Sequence, residues 1–483
     1  MVKGRPIPVN PQTWRGLALG LALAASGCGT FTHYPTGMEQ TTLAPLRAGQ
    51  KPDYQKTFGN RTNGNSGVLF AMELGRVAWL EGDSLVSRQA FEAAIAGSQA
   101  QDDKAAISAS GAAAQGGAVL VNDKVIPYRA ASFERTLVHH YQALNYLATN
   151  DLSGAGVEVR RANRVQEDAQ RRREKEIDAA KTKTADTPPE EERDPNLQPV
   201  YAGLDEKAGS VKFSFQNAAT FYLSGVVWEM LGEPNDAYID YKRGLEIYPD
   251  NPYLQRNVLR LGRRLGMRED VEDFSRRFPE AAEAAADAAA ARDRARLVVL
   301  FEDGLVIQKS EISIAYPLFE AGSIGMLALP TYEQPVPPAV SAAVTVGGKN
   351  LGATAPICNV GALAARALQE QMPGILTRQV ARAVAKGVAA NAAQNNGGDL
   401  AEIMVLLYNI FSEQADLRSW LSLPAHIQVL DAWVEPGTAS VALAAPGGGN
   451  AWSGEVTFAP GKTTLVVVSR IDLAVYSHVI MQP

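Results

Sequence analysis

From Ala218 to Asn251 the chain sets Phe221, Gly225, Trp228, Gly232, Ala237, Tyr241, Gly244 and Pro249 at intervals that suit two short antiparallel helices. The reason is steric. Small residues at Gly225, Ala237 and Gly244 let two helix axes approach, and Phe221, Trp228 and Tyr241 fill the space around the contact. Pro249 ends the second helix, because proline cannot continue the hydrogen-bond ladder. The frame recurs upstream. Leu74, Gly75, Gly82, Phe91 and Ala94 hold matching offsets, and so do His139, Ala143, Tyr146, Asn150, Ala155, Val159 and Ala162. Phe91 and Val159 stand two periods of 34 residues apart. That period and this signature are those of tetratricopeptide-like helical hairpins, each of which buries its apolar face on its neighbours.

The first 28 residues carry a different message. Lys3, Arg5 and Arg15 precede a short apolar run, Gly16 to Ala25, and then Ala25-Ser26-Gly27-Cys28. The run is too short to span a bilayer, and the small residues mark a cleavage site. Their lead into Cys28 resembles the lipobox of bacterial lipoproteins, although Ala25 stands where leucine is usual. The resemblance implies cleavage before Cys28 and acylation of that cysteine; Gly29 in place of aspartate implies the outer membrane. Loss of residues 1–27 removes three basic residues and no acid, taking the net charge from -6 to -9. An acidic chain is a poor polyanion binder, so nucleic acid is not an expected partner. Five histidines and two cysteines are too few for a Cys/His metal cluster, and no metal or cofactor is expected. Cys358 is left without a disulfide partner.

The rest of the chain divides by pattern. Residues 28–66, rich in Thr, Gly, Pro and Asn, read as a lipidated tether. Residues 67–296 read as the helical repeat domain, with a charged flexible insertion at about 171–212 and an Ala-rich bridging helix from Pro279 to Arg296. From Leu297 the period becomes strand-like. Val340 to Pro356 reads as a hairpin turning at Gly347-Gly348-Lys349-Asn350, and strands follow at His426–Val434, Thr438–Leu443, Gly454–Phe458 and Thr463–Ile471. Residues 297–483 are thus expected to form a β-sandwich-like domain with a helical insert at about 360–415. The fold class expected overall is α+β and multi-domain, tetratricopeptide-like helices followed by that sandwich.

Four phrases carry a wider resemblance: Val121-Asn122-Asp123 with Pro127-Tyr128-Arg129 and Glu134-Arg135; His140 to Leu147 (HYQALNYL); Val157 to Asn163 (VEVRRAN); and Asp416 to Pro424 (DLRSWLSLP). The chain resembles a family of uncharacterised bacterial tetratricopeptide-like outer-membrane lipoproteins, often encoded beside lipoproteins that activate penicillin-binding proteins. The resemblance implies a periplasm-facing, lipid-anchored protein with protein or peptide partners in envelope assembly. Glu134, Arg135, His140, Tyr141, Asn145, Arg160, Arg161 and Asn163 are the expected partner-binding residues. Paired arginines grip carboxylates bidentately, although internal pairing of Arg160 and Arg161 with Glu134 or Glu158 is the simpler reading. Asp416, Arg418, Trp420 and Pro424 are read as a structural corner. No HExxH, CxxC, phosphate loop, dinucleotide fingerprint or G-x-S-x-G elbow occurs. The expected role is therefore a non-enzymatic binding scaffold. The competing readings are an accessory of a secretion or motility complex and a cell-wall enzyme using His140 with Glu134 or Arg160.

Overall fold

The computed structural model describes residues 34–109, 126–183, 197–289, 293–318, 323–396, 414–446 and 449–483. Cys28 and the signal region, Val121-Asn122-Asp123, residues 184–196 of the expected charged insertion and residues 397–413 of the expected helical insert lie outside them. The chain is mixed α/β, with helices in the N-terminal half and sheets in the C-terminal region. No described helix is long and apolar enough to cross a membrane.

Three helical hairpins follow one another: α1 (Gly67–Leu80) with α2 (Ser84–Ala109), α3 (Ser132–Ala148) with α4 (Leu152–Lys183), and, after α5 (Gln198–Ala208), α6 (Ala218–Leu231) with α7 (Pro234–Ile247). Their closest approaches lie where the sequence places its small residues. A Cβ added to Gly75 would sit 2.6 Å from the Phe91 ring, and one added to Gly225 would sit 2.5 Å from the Tyr241 ring. In both hairpins the glycine faces an aromatic residue sixteen positions later. Ala143 and Val159, both wholly buried, hold the same spacing in the second hairpin. Helices α8 (Pro252–Leu265), α9 (Arg268–Arg277) and α10 (Pro279–Ala289) complete the helical part. Asn251 caps α8 by accepting from the Tyr253 and Leu254 amides, and Gly266 in the left-handed conformation ends it.

The strands are β1 (Ala295–Asp303), β2 (Ser310–Leu318), β3 (Ser323–Thr331), β4 (Ala343–Val346), β5 (Lys349–Ala353), β6 (Ala355–Asn359), β7 (His426–Val434), β8 (Gly437–Ala445), β9 (Gly449–Phe458), β10 (Thr463–Ile471) and β11 (Ala474–Met481). They form a five-stranded sheet ordered β11-β10-β1-β7-β6, a β2-β3 pair and a four-stranded sheet ordered β5-β4-β8-β9. Gly347 and Gly348, both at positive φ, make the two-residue β4–β5 turn. Strand β1 is central. It pairs in parallel with β10 and antiparallel with β7, and residues 295–302 are buried. Burial on both faces explains its unbroken apolar run, Leu297 to Phe301. Strand β9 brings the four-stranded sheet against β1, β10 and β11. Helix α11 (Val360–Asn396) follows β6.

Four expectations need correction. Residues 34–66 are not a free tether: short helices there bury Met38, Leu43, Leu46 and Phe58 with Leu421 and Ile471. Pro and Thr in that segment sit between these apolar anchors, and the anchors decide its fate. Residues 197–208 of the expected charged insertion form α5, with Leu197, Val200, Tyr201 and Leu204 in the core. Arg296 belongs to β1 rather than to the Ala-rich helix. The core itself crosses the expected boundary at 296/297: one buried cluster contains Trp79, Tyr141, Tyr222 and Leu259 together with Val298, Leu300, Val429 and Val467. Strands β2 and β11 were not expected from the sequence.

Gly225→Ala should lower stability by about 1–3 kcal/mol, because Tyr241 must move to admit the Cβ. Gly203→Ala, in α5 with open space at its Cβ position, should raise it by roughly 0.5–1 kcal/mol. Urea unfolding midpoints of the two variants should move in opposite directions.

Candidate functional site

The residues expected to bind a partner fall into two sets. Glu134, His140, Tyr141 and Asn145 are buried at 2, 1, 0 and 0% exposure, which corrects their reading as a contact surface. Glu134 accepts the Ala131 amide at 2.8 Å at the start of α3, the Trp420 amide at 3.0 Å and the Tyr128 hydroxyl at 2.6 Å. Asn145 donates to Ser87 Oγ at 2.8 Å, fixing α3 against α2. His140 Nδ1 lies 3.3 Å from Thr220 Oγ1, and its Nε2 has no partner among the described residues. Burial lowers the His140 pKa to about 4, so the ring is neutral near pH 7.

The second set remains at the surface of α3 and α4. Arg135 pairs with Asp102 at 2.9 Å. Arg161 pairs with Glu158 at 2.7 Å, and Glu158 also meets His139 Nδ1 at 2.7 Å. Arg160 stacks its guanidinium 4.5 Å from the Trp228 ring centroid. Asn163 donates to Asp240 at 2.8 Å. Val157, Arg160, Arg161 and Arg164 are exposed, and their spacing puts them on one face of α4. The internal pairing of Arg161 with Glu158 is therefore present, while Arg160 is held by an aromatic ring instead of an acid.

Asp416, Arg418, Trp420 and Pro424, read from the sequence as a corner, lie in the stretch without helix or strand that leads into β7. Arg418 makes a bidentate contact with Asp416, with Nε and Nη2 at 2.8 and 2.7 Å. It also donates to Ser66 Oγ at 3.1 Å and the Ile126 carbonyl at 3.0 Å. Trp420 is 1% exposed and packs edge-on against Phe91 and Tyr141. Glu73 of α1 ties this corner to the N-terminal segment, accepting from the Leu421 amide at 2.6 Å, the Ser422 amide at 3.2 Å and the Tyr34 hydroxyl at 2.8 Å. Burial raises the Glu73 carboxyl to about 7 against these hydrogen bonds.

Two buried ionic clusters join the helices to the five-stranded sheet. Successive strand residues point to opposite faces, so Arg296 and Glu302, both on β1, share one face. At one end of it Arg76 of α1 donates to Glu302 at 2.6 Å, and Tyr141 donates to the same carboxylate at 2.7 Å. Ser469 completes that cluster. At the other end Arg296 meets Asp431 and Glu229, both at 2.6 Å, while Tyr222 and Asn257 donate to Asp431 at 2.8 and 2.7 Å. Arg260 grips Glu229 with two bonds of 2.8 and 2.7 Å. Burial alone would raise both acids. Arg260 and Arg296 override it and bring Glu229 down to about 2, and Arg296 holds Asp431 well below the carboxylate range. These clusters were missed at the level of sequence; the one available signal was the pair of charges bracketing an apolar strand, Arg296 and Glu302.

A cleft of about 760 Å³ opens between the end of α5, the proline strap at 335–338 and the start of α11. His426 lines it and donates through Nε2 to the Pro337 carbonyl at 2.6 Å. None of the residues singled out in the sequence for binding lines this cleft. Among the described residues no group of three or more His, Cys, Asp or Glu is placed to hold a metal ion. Set beside family models, curated proteins and solved structures, the chain matches none of them.

Glu73 gives the site a pH signature. Its folded pKa lies above the usual value of 4.5, so its contribution to stability is present below about 4.5 and lost as pH rises through about 7. Between pH 5 and 8 wild type should therefore lose stability relative to Glu73→Gln, by up to roughly 3 kcal/mol. Denaturant titrations of both proteins across that range would measure the difference; parallel curves would refute it.

Proposed function

We propose that the protein is a periplasm-facing outer-membrane lipoprotein, anchored through Cys28, that acts as a non-enzymatic binding scaffold in cell-envelope assembly. The observation that carries the scaffold reading is the repeated register of the hairpins. Gly75 with Phe91, Ala143 with Val159 and Gly225 with Tyr241 occupy the same two slots at the same separation. That is the pattern of tetratricopeptide-like repeats, whose common use is to present a helix surface to a peptide or protein. The C-terminal sheets, read as a sandwich, serve in this account as a rigid support for the helices.

The contact surface assigned on this reading is the exposed face of α4, Val157, Arg160, Arg161 and Arg164. An acidic segment of a partner suits it. Trp228 pre-orders Arg160 by stacking, which reduces the side-chain entropy lost on binding. A hydrolytic role for His140 finds less support, since the ring is buried and neutral.

Two measurements test the proposal. Cys28→Ala should leave the protein unprocessed and absent from the outer-membrane fraction; unchanged processing and fractionation would refute the anchor. Arg160→Glu with Arg161→Glu should reduce in vivo crosslinked partners about tenfold or more while changing stability by less than about 1 kcal/mol. Undiminished crosslinking would remove α4 as the contact surface.

A further inference from the structure

We propose that the β10–β11 turn and the outward face of β11 form a surface that rests on the lipid bilayer. The proposal rests on the Cys28 anchor argued above. Leu473, at the tip of the turn, is 97% exposed, and Val475, Val479 and Met481 are 38, 43 and 53% exposed. These last three alternate along β11, so they share one face of it. β11 is the terminal strand of the five-stranded sheet. Exposed edge strands are usually guarded by charge or proline, yet here the outward row is apolar apart from Ser477.

The N-terminal segment says what covers it. Tyr34 packs on the cluster that buries Met38, Leu43, Leu46 and Phe58 with Ile471, and Tyr476 packs on the same cluster. The Tyr476 hydroxyl donates to the Leu46 carbonyl at 2.8 Å, and Gly49 lies against Ala474. The chain coming from Cys28 thus enters the fold at the base of this turn. Cys28 precedes Tyr34 by six positions, a contour of at most roughly 20 Å. A bilayer holding the acyl chains must pass within about that distance of Tyr34.

Arg47 is shared between Asp472, at 3.2 Å, and Glu39, so an acid remains beside Leu473 and the surface relies on its apolar row rather than on charge. The acyl chains supply residence on the membrane, while Leu473 and the apolar row of β11 set which side faces it. The exposed face of α4 is then presented at a fixed orientation relative to the bilayer.

The test couples the mature chain through Cys28 to vesicles of phosphatidylethanolamine and phosphatidylglycerol that carry a maleimide lipid and brominated acyl chains. Cys358 is buried and is spared. After subtraction of the five tryptophans native to the mature chain, Trp79, Trp228, Trp420, Trp433 and Trp452, the tryptophan added in Leu473→Trp should lose at least half its emission relative to vesicles without bromine. The one added in Ile239→Trp, on α7 and 48% exposed, should be unchanged. Equal emission at both positions, with and without bromine, would overturn the proposal. So would a wild-type dimer in solution that Leu473→Glu abolishes while quenching at 473 is absent, since a second copy would then be the occupant. Chemical coupling does not depend on natural acylation, so failure of the anchor reading appears separately, as Cys28→Ala protein that stays in the membrane fraction.

Discussion

The buried contact between Arg296 and its two acids, Asp431 and Glu229, is the constraint on which the rest of the structure depends. Arg296 lies on the central strand and is 3% exposed. A guanidinium removed from water is costly unless every donor is matched, and here the acids come from different parts of the chain: Glu229 from a hairpin helix and Asp431 from the neighbouring strand. Helices and sheet must therefore meet in one register. The Arg76–Glu302 pair repeats the device 226 residues apart in sequence. Two such fixings at opposite ends of β1 prevent the helical layer from sliding or rotating on the sheet. Apolar packing alone would penalise such a shift much less, because hydrophobic contact is non-directional.

This arrangement explains why the N-terminal and C-terminal parts share a core instead of folding as separate units joined by a helix. Leu300 and Val298 project from the same strand face as the two charges, and the hairpin helices pack over them. The corner at 416–424 acts as a third fastening. Its Trp420 amide and side chain reach the first and second hairpins, and its Leu421 and Ser422 amides reach Glu73.

Legibility in the sequence tracked the range of the interaction. The hairpins were legible because a glycine and the aromatic ring it admits are sixteen residues apart, so both fall within one repeating frame. The strands β7 to β10 were legible from β-branched runs ended by Pro-Gly and Gly-rich turns. Segment 34–66 was misread because its Thr, Gly and Pro content hid four well-spaced apolar anchors, whose partners Leu421 and Ile471 lie almost four hundred residues away. Arg296 was assigned to a helix because the preceding alanines favour one; only its match with Asp431 and Glu229 shows why it begins a strand. Among the expected binding residues, Glu134, His140, Tyr141 and Asn145 are buried and hold the packing instead of a partner surface. Nothing local distinguishes a buried Tyr141 bonded to Glu302 from an exposed one awaiting a partner.

The parallel pairing of β1 with β10 carries a consequence for how the chain comes to be folded. Glu302 and Ser469, which meet across these strands, are separated by 167 residues, and Arg76 waits for both. Parallel pairing over such a separation raises contact order and slows assembly. During synthesis the hairpins would emerge long before the strands that neutralise their buried charges. The helical half thus spends its early life with Arg76 unmatched and its sheet-facing surface uncovered. Until β10 arrives, that surface is open to association with other chains.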